Sequence, residues 1–286
     1  MKIGFIILNY NTPEMTRKLA MKVETYNAID NVVIIDNCST DNSYEMLKKI
    51  ESNKITVLKT HHNGGYSYGN NYGMSKCLEF GDEYAFVANP DVEVTESCID
   101  RIVGVLQKKN YALVTCLQYE IDGKLGLPAV LKQNSYKDDL MDCFYLSRRL
   151  IRKKEKKGIP QQQIIDIEMF RGSFFAVEVK AFMQVNGFDE GVFLYCEERI
   201  LSRKLMDIGK KMALLSDCRY EHMHSVSIDN VYKNRQKKMR LLFESRLYYN
   251  MKYNSIGMFK KAILTVAMKF SLLEYSIADT VGSVMK

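Results

Sequence analysis

Residues 84–94 constrain this chain most, because a short apolar run breaks into a carboxylate and then resumes. Aromatic and β-branched residues predict a buried strand, and Pro90 cannot donate a hydrogen bond to a sheet. The strand should therefore end near Asn89 and leave Asp91 at its carboxyl end. Ligands of open α/β sheets bind beyond the carboxyl ends of the strands, so Asp91 is a candidate ligand for a divalent cation. The alternative is an ordinary Asn-Pro-Asp turn, which these residues favour for backbone reasons alone.

Strands and helices alternate over the first hundred residues. Continuous apolar runs predict further strands at residues 3–8, 31–35 and 55–58. Helices are predicted at residues 13–23 and 44–51. A loop rich in glycine and asparagine, residues 63–73, is expected to lead into a helix that ends near residue 80. This alternation predicts a doubly wound, mostly parallel sheet.

The second half continues the α/β pattern and then becomes helical. Helices are predicted at residues 98–108, 179–185 and 197–208, and strands at 112–118, 126–130, 211–215 and after Gly172. The polar and basic residues 133–157 carry little pattern and are the predicted mobile loop over the site. A helix is predicted at residues 233–252, and residues 255–283 carry apolar side chains between lysines.

Composition indicates a globular protein. The 286 residues are 47% apolar, which suffices for one large domain or two modest ones. The net charge of +7 includes clusters of Lys and Arg, which suit an anionic partner or a solvated helix face. These clusters form no recognisable nucleic-acid-reading motif, so no nucleic-acid partner is expected. No uncharged apolar stretch is long enough to span a bilayer, and the apolar N-terminal run is too short for a signal peptide.

The sequence lacks several motifs, and their absence disfavours particular kinds of site and classes of enzyme. The seven cysteines form no Cys-x-x-Cys pair, so the sequence indicates neither a disulfide framework nor a zinc site and favours a reducing cytosol. No Gly-x-Gly-x-x-Gly follows the first strand, and no Gly-Lys-Ser/Thr occurs. A dinucleotide oxidoreductase and a P-loop phosphotransferase are therefore disfavoured.

Polar clusters follow the first, second and fourth predicted strands. They contain Asn11, then Asp36 with Asp41, and then Asp91. Because the carboxyl ends of parallel strands meet at one edge of a sheet, we expect these side chains to line one crevice. Several carboxylates at successive strand ends predict a nucleotide-binding pocket.

Six short segments occur in the same order as the motifs of a known enzyme family. They are residues 7–11 (ILNYN), 33–41 (VIIDNCSTD), 63–73 (NGGYSYGNNYG), 89–92 (NPDV), 187–190 (GFDE) and 197–198 (EE). Over about residues 1–225 the chain resembles the family 2 glycosyltransferases, and among these the bacterial rhamnosyltransferase-like enzymes of surface polysaccharide synthesis. Each motif alone is weak, and the shared order carries the resemblance.

The resemblance implies a fold and an activity. The fold would be GT-A, with a catalytic domain at 1–228 and a helical C-terminal extension at 229–286. Residues 1–95 would be the nucleotide-sugar-binding half and 96–228 the acceptor half. The activity would be inverting, metal-dependent transfer of a sugar from dTDP-rhamnose or a UDP-hexose to a glycan or a lipid-linked oligosaccharide.

The resemblance assigns the donor to the strand ends. The residue matching Asp36 contacts the nucleoside, and the loop around Asn9 and Asn11 borders the base. The whole expected donor set is Asn9, Asn11, Asp36, Asn63, Gly65, Asn70, Asn89 and Asp91. Glycines of residues 63–73 would let the backbone approach the donor.

The same resemblance implies a metal site. Asp91 matches the final aspartate of the family's Asp-x-Asp motif, written here Asn89-Pro90-Asp91. Mg²⁺ or Mn²⁺ would be held by one or two carboxylates and the donor's phosphates, and would neutralise charge on the departing diphosphate. Asn89 would be a weaker ligand. His222 and His224 match a histidine near the metal or diphosphate, with an ordinary core or surface role as the alternative.

The acidic pair Glu197-Glu198 matches a Glu-Asp pair whose aspartate is the general base for the acceptor hydroxyl. Glu198 occupies the place of that aspartate and is therefore the expected base. Because Glu198 is one methylene longer than aspartate, the alternatives are a displaced base or participation of Glu197. A helix N-terminus that favours acidic residues through its dipole explains the pair without catalysis. The turn Arg171-Gly172-Ser173 matches the glycine turn on the acceptor side.

Other interpretations remain open at this point. A catalytically silent sugar-nucleotide-binding or scaffold protein would also explain the replacement of aspartate by Glu198. A nucleotidyltransferase is disfavoured because its basic, glycine-rich N-terminal loop is missing. The segment 233–286 is expected to dock on the anionic inner face of the membrane, so the protein would be cytoplasmic. The alternatives are that its apolar stripe packs on the catalytic domain or forms a homodimer interface.

Overall fold

The computed structural model describes residues 1–126, 132–147, 161–223 and 235–284, with side chains described to residue 276. Its strands are β1 Ile3–Asn9, β2 Asn31–Asp36, β3 Ile55–Lys59, β4 Tyr84–Ala88, β5 Val92–Glu93, β6 Leu113–Glu120, β7 Ile164–Ile167, β8 Phe174–Glu178 and β9 Met212–His222. Its helices are α1 Pro13–Glu24, α2 Ser43–Lys48, α3 Gly65–Glu79, α4 Glu96–Leu106, α5 Tyr136–Asp142, α6 Val179–Gln184, α7 Glu197–Asp207, α8 Arg235–Lys252 and α9 Met258–Val284.

The described strands form one sheet in the order β3-β2-β1-β4-β8-β6-β9-β5, and β7 pairs with β9. Strands β1 to β4, β6 and β9 run in one direction, and β5, β7 and β8 run in the other. The β1/β2 register places Asn9 opposite Asp36, at the carboxyl ends of both strands. The predicted α/β, mostly parallel sheet is confirmed, and its strand ends meet at one edge.

Two apolar layers cover the two faces of the sheet. Side chains alternate along β1, so Phe5 and Ile7 belong to one buried cluster and Ile6 to the other. On the first face Phe86 stacks between Phe5 and Phe174, with ring centroids 5.7 Å from each. These rings join the parallel half of the sheet to the antiparallel strand β8, because they come from β1, β4 and β8 in turn.

The expected loop at residues 63–73 is largely wrong, since α3 begins at Gly65. Gly69 and Gly73 lie one helical turn apart and face the sheet. A Cβ at Gly69 would lie 2.2 Å from Cδ1 of Leu8, and one at Gly73 would lie 2.7 Å from Cγ2 of Ile6. These two glycines therefore let the helix pack against β1.

Strand β9 is longer than the predicted strand at 211–215. It continues to His222 because its pairing with β6 shifts register between Cys116 and Leu117 and then resumes. The predicted strand at 126–130 falls mostly on residues 127–130, which lie outside the described residues.

The expected mobile loop at 133–157 is wrong for its first part. Residues 136–142 form α5, which begins with a capping box between Ser135 and Asp138. The Ser135 backbone N–H donates to Asp138 Oδ2 at 2.7 Å, and Asp138 N–H donates to Ser135 Oγ at 3.3 Å. Residues 148–157 lie outside the described part of the chain.

Helices α5, α8 and α9 share a separate apolar cluster beside the sheet. Cys143, Phe243, Leu264 and Met268 are buried in it. One face of α9 packs into this cluster, with Leu264, Met268 and Ser271 buried, while the opposite face is exposed. No helix within the described ranges is both long and apolar enough to cross a membrane.

A buried ion pair joins these helices to α7. Arg199 Nη1 lies 2.9 Å from Asp139 Oδ2, and both side chains are at most 5% exposed. Asn250 Nδ2 also donates to Asp139 Oδ2, at 2.7 Å, and the Arg199 guanidinium lies 3.7 Å from the ring centroid of Tyr249. Residues from α5, α7 and α8 thus meet at one buried charge.

Replacing Arg199 with leucine should destabilise the fold strongly. The change leaves the buried Asp139 charge with weaker compensation, and breaking such a pair costs about 3–5 kcal/mol. Arg203→Leu is the matched control, because Arg203 pairs with Asp207 on the same helix but both are exposed. That variant should lose less than about 1 kcal/mol. Urea unfolding measures both, and equal losses would contradict the structural role of the buried pair.

Candidate functional site

The ends of β1 and β2 are tied together by buried polar side chains. Asn9 Nδ2 donates to Asp36 Oδ2 at 2.8 Å and to Ser39 Oγ at 3.1 Å. Asp36 Oδ1 accepts the Ser39 backbone N–H at 3.0 Å, and Thr16 donates to Asn9 Oδ1 at 2.8 Å. Asn9 and Asp36 are both fully buried. They order the loop after β2, and direct contact of Asp36 with a donor would require that loop to move.

Asn11 lies at the rim of the same loop. It is half-buried and adopts a left-handed backbone conformation with φ of 55°. Its side chain exchanges hydrogen bonds with Thr40, because Nδ2 donates to Thr40 Oγ1 at 3.1 Å and Oδ1 accepts Thr40 N–H at 2.9 Å. Asparagine tolerates this backbone region better than most residues. The loops after β1 and β2 are therefore joined at the surface as well as in the interior.

Asn37 connects the β2 loop to the start of α3. Its Nδ2 donates to Asn63 Oδ1 and to the Gly65 carbonyl, both at 3.0 Å. Asn63 Oδ1 also accepts the Gly65 N–H at 3.0 Å. Asn70, one turn into the helix, is fully buried and donates to the Tyr66 carbonyl at 3.0 Å. The expected donor residues Asn63, Gly65 and Asn70 thus belong to the N-terminal part of α3.

Gly65 is required at this point for two reasons. Its φ is +83°, which side chains rarely adopt, and a Cβ would lie 2.1 Å from the Phe193 carbonyl oxygen. The next residue, Tyr66, donates its N–H to that same carbonyl at 3.3 Å. The start of α3 is therefore in direct contact with the segment that precedes the acidic pair.

Asp91 lies beyond the end of β4, as expected, and is buried against His222. Its Oδ1 lies 3.2 Å from His222 Nε2, and its carbonyl accepts the Met223 N–H at 3.0 Å. The half-buried Asn89 donates its N–H to the Ser173 carbonyl at 2.9 Å. The structure thus brings Asp91 and His222 together from distant parts of the sequence, and His224 lies outside the described residues.

Glu197 and Glu198 are the first two residues of α7. Glu197 is buried and Glu198 is half-buried. The two preceding residues, Tyr195 and Cys196, have φ of 72° and 69°. Left-handed conformations of such residues cost about 1–3 kcal/mol each and persist only where the surroundings impose them. The acidic pair is therefore held in position by a strained turn.

The pKa values of the two glutamates are raised to different extents. Burial raises the pKa of Glu197 well above its usual range, and the neighbouring Glu198 charge raises it further. The pKa of Glu198 is also raised by burial, but a hydrogen bond from Glu197 and the charge of Arg171 act in the opposite direction. Glu197 is therefore the carboxyl group of the pair that holds a proton to the higher pH.

The glycine turn lies beside this carboxylate. A Cβ at Gly172 would lie 3.9 Å from Cδ of Glu198, and Tyr66 OH donates to the Gly172 carbonyl at 2.6 Å. The pKa of Tyr66 is raised by burial and then by the charges of Glu198 and Glu197, so Tyr66 stays a neutral donor. Gly172, Tyr66 and Glu198 therefore form one cluster, with Arg171 near enough to influence it electrostatically.

Ser173 points away from that cluster. Its hydroxyl lies 2.7 Å from Tyr220 OH and 3.3 Å from Gln118 Oε1, and all three residues are buried. Its carbonyl accepts from Asn89, so Ser173 connects the glycine turn to the end of β4 through its backbone. The residues beside Asp91 and those beside Glu198 are thus neighbours in the sheet.

Sequence reasoning missed two residues of the site. Tyr66 lies inside the motif at 63–73, but a tyrosine in a predicted loop carries no signal for contact with residue 172. Asn37 follows Asp36 directly and was read as part of a polar loop. Its buried amide bridges two loops, which only the fold brings together.

Comparison with known proteins identifies the family. The sequence model described as glycosyl transferase family 2 matches residues 5–185, more than half of the chain. The chain belongs to this family and is a glycosyltransferase. The expected resemblance to the family 2 glycosyltransferases is confirmed by this match.

Relatives of known activity agree with this assignment. The chain is 26% identical over 219 residues to rhamnosyltransferase WbbL of Escherichia coli, covering 73% of this chain and 79% of that protein. It is 23% identical over 280 residues to the low-salt glycan biosynthesis hexosyltransferase of Haloferax volcanii, covering 94% and 85%.

Solved structures confirm the GT-A fold. A mannosyltransferase of Pyrobaculum calidifontis, solved with GDP-Man and Mn²⁺, has a TM-score of 0.60 at 12% identity and covers 100% of this chain and 76% of that one. TarS of S. aureus, solved with UDP-GlcNAc, has a TM-score of 0.58 at 13% identity and covers 93% and 79%. At these identities the likeness concerns the fold.

Proposed function

We propose that this glycosyltransferase transfers a sugar, with inversion, from a nucleoside-diphosphate sugar to a hydroxyl group of a glycan or lipid-linked oligosaccharide. The observation that carries this proposal is the acidic pair at the start of α7, where Glu198 lies beside Gly172 and Glu197 has the more strongly raised pKa. An ionised carboxylate beside a glycine turn can accept a proton from an acceptor hydroxyl. The alternative is that the two acidic residues only stabilise the N-terminus of α7 through the helix dipole. Exposed side chains would suffice for that role, so the burial of the pair favours catalysis.

Glu198 would act as the general base. It takes the proton of the acceptor hydroxyl while the acceptor oxygen bonds to the anomeric carbon and the nucleoside diphosphate leaves from the opposite side. Glu197 stays protonated and orients Glu198 through a hydrogen bond. Tyr66 holds the Gly172 carbonyl, and this contact keeps space beside Glu198 that a larger residue at position 172 would reduce.

Asp91 and His222 are the proposed protein ligands of Mg²⁺ or Mn²⁺. The Asp91 carboxylate fits either cation and leaves positions for water and phosphate oxygens. The His222 nitrogen, 3.2 Å from Asp91 Oδ1, is a softer donor that fits Mn²⁺ better than Mg²⁺. The bound metal would neutralise charge that develops on the leaving diphosphate. His224 stays a proposed ligand from the sequence, and Asn89 a weaker one.

The donor is proposed to be dTDP-rhamnose or a UDP-hexose, used in bacterial surface polysaccharide synthesis. Support comes from the similarity to a rhamnosyltransferase and a hexosyltransferase, and from fold neighbours solved with GDP-Man and UDP-GlcNAc. The rim around Asn11 and Thr40 is the accessible part of the proposed nucleoside side. Asn9 and Asp36 would contribute mainly by hydrogen bonds that fix the position of the loop containing Thr40.

We keep the division into a catalytic domain at 1–228 and a helical extension at 229–286 as a proposal. The halves at 1–95 and 96–228 correspond to the donor-side loops and to the glycine turn with the acidic pair. The extension contributes to the scaffold of the site, because Asn250 contacts the same Asp139 that holds Arg199.

The extension is also proposed to bind the anionic inner face of the membrane, which would make the enzyme cytoplasmic and peripheral. The apolar stripe of α9 is 38–79% exposed at Met258, Phe259, Ile263, Val266, Phe270 and Leu273. This exposure counts against the alternative that the stripe packs on the catalytic domain. Phe144 after α5 lies beside Phe270 and extends the patch, with ring centroids 6.3 Å apart.

Charge favours a membrane over a second subunit as the occupant of this patch. Lys260, Lys261 and Lys269 lie on the same helix as the stripe. Each lysine near an anionic surface contributes roughly 1 kcal/mol of attraction, whereas two copies of this helix would repel each other. A homodimer remains the competing interpretation.

Glu198→Gln should lower kcat by about 100-fold or more while donor binding persists, because the variant lacks the general base. Glu197→Gln should lower kcat much less, since an amide N–H can replace the donated hydrogen bond.

In the wild type, kcat/KM should fall as pH drops through the pKa of Glu198, which is raised above the usual glutamate value.

Glu198→Asp, which restores the family's residue, should retain activity. If only Glu197→Gln loses activity, the base is Glu197, and binding without turnover of any sugar nucleotide supports the silent-protein alternative.

Asp91→Asn should abolish metal-dependent transfer and weaken Mn²⁺ binding in the presence of UDP or dTDP. The fold should persist because Asp91 lies at a strand end, and circular dichroism checks this. Asp100→Asn, on the exposed face of α4, is the matched control and should bind Mn²⁺ normally. Isothermal titration and transfer assays give the two readouts. Near-normal turnover of Asp91→Asn at the same metal concentration would exclude the assignment.

The double variant Phe259→Ser and Val266→Ser should lose binding to anionic vesicles. Both residues are more than 60% exposed, so the loss removes interfacial burial without opening a core. Met21→Ser with Leu78→Ser removes exposed apolar side chains elsewhere and should bind normally. Co-sedimentation measures binding, which should also weaken with salt. A protein that ignores anionic vesicles at low salt, but forms dimers that the double variant abolishes, would favour the homodimer.

A further inference from the structure

Three of the seven cysteines converge on one point where α4, β6 and β9 meet. Cys98 is the third residue of α4, Cys116 lies in β6 and Cys218 in β9. Their Sγ atoms all lie within 4.8 Å of one another, and the Cys98 and Cys116 sulfurs are 3.5 Å apart. The thiols come from three separate elements, so local sequence spacing does not bring them together.

The irregularity in β9 places the third thiol. Pairing of β6 with β9 passes from Cys116 opposite Leu215 directly to Leu117 opposite Arg219. Residues 216–218 therefore bulge out of the ladder, and Cys218 is the last residue of the bulge. Bulges commonly redirect a side chain. Here the redirected side chain is a thiol that meets two others.

The position of Cys98 favours metal binding. Cys98 lies in the first turn of α4, and the Thr95 side chain accepts its backbone N–H at 3.3 Å. A helix N-terminus favours the thiolate form of a cysteine, and the thiolate is the form that binds a metal.

We propose that Cys98, Cys116 and Cys218 form a binding site for one thiophilic d¹⁰ cation, with Zn²⁺ as its ordinary occupant. Zn–S bonds are about 2.3 Å long, which places the sulfurs of a tetrahedral site about 3.8 Å apart. The observed 3.5 Å and the 4.8 Å limit bracket that spacing. Binding releases the thiol protons to solvent, because the thiolates are the ligands.

The cluster can be reached from the surface. Cys98 and Cys218 line a surface groove. The groove gives an ion and one water a route to the fourth coordination position. Its charged side chains balance, because Arg101 pairs with Asp217 and Lys22 with Glu93, so the thiolates themselves supply the charge that attracts a cation.

The site would clamp three elements together. A metal at this point joins the start of α4, the middle of β6 and the bulge of β9, and β9 leads on to His222 beside Asp91. A ligand that binds only the folded state raises its stability. The site is therefore structural, and its existence does not depend on the transfer reaction.

The test uses the full-length protein, reduced and treated with a chelator that is then removed. Zn²⁺ should bind at one equivalent per chain and raise Tm, and Cd²⁺ should give a thiolate-to-metal charge-transfer band. Cys218→Ser should weaken Zn²⁺ binding by more than about 100-fold, beyond the effect of losing an outer-shell partner. Cys38→Ser changes a cysteine of similar exposure outside the cluster and should bind as the wild type does.

Several results would overturn the proposal. One is the absence of stoichiometric Zn²⁺ and Cd²⁺ binding by the reduced wild type. Another is equal affinity in Cys218→Ser and in the wild type. If Cys218→Ser unfolds, Cys98→Ser replaces it, and retention of the charge-transfer band in that variant also counts against the site. A Cys98–Cys116 disulfide in freshly isolated protein, found by mass spectrometry together with an absence of metal, would identify a redox pair instead.

Discussion

The buried ion pair between Arg199 and Asp139 is the contact on which the arrangement of the site depends. Arg199 directly follows Glu198, so this pair ties the first turn of α7 to α5. A charge with at most 5% exposure cannot be left unpaired without a penalty of several kcal/mol. Helix α5 must therefore bring Asp139 to this point, and α8 must bring Asn250 and Tyr249. The C-terminal helices are thus part of the scaffold of the acidic pair.

The other side of the site is built from amides and short hydroxyl side chains instead of ion pairs. Asn9, Asn37 and Asn63 each join two loops, because an amide can donate and accept at once. The acidic pair also depends on burial. Burial raises the pKa of Glu197 more strongly than that of Glu198, and the strained turn at Tyr195 and Cys196 holds both carboxyl groups in this buried position. The proposed chemistry therefore depends on the exclusion of water from the start of α7.

Most of the sheet could be predicted because its signals are local. Apolar β-branched runs marked β1, β2 and β3, and Pro90 marked the end of the strand that leads to Asp91. Two expectations failed for identifiable reasons. Glycines at 65, 69 and 73 look like a loop by composition, but their spacing of four residues fits a helix pressed against β1. The weakly patterned segment after residue 133 contains α5, because the capping box of Ser135 and Asp138 starts a helix that has little apolar periodicity.

The sequence by itself determined the family, the order of the α/β elements and the placement of Asp91 and Glu198 at element ends, because each depends on neighbours in the chain. The tertiary structure alone decided which distant side chains meet. It brought His222 to Asp91, Tyr66 to Gly172, and Cys218 to Cys98 and Cys116. These contacts depend on strand register and on a three-residue bulge, and neither leaves a periodic signal in the sequence. Pairing across a sheet is set by packing of the whole domain, so only the folded chain could reveal them.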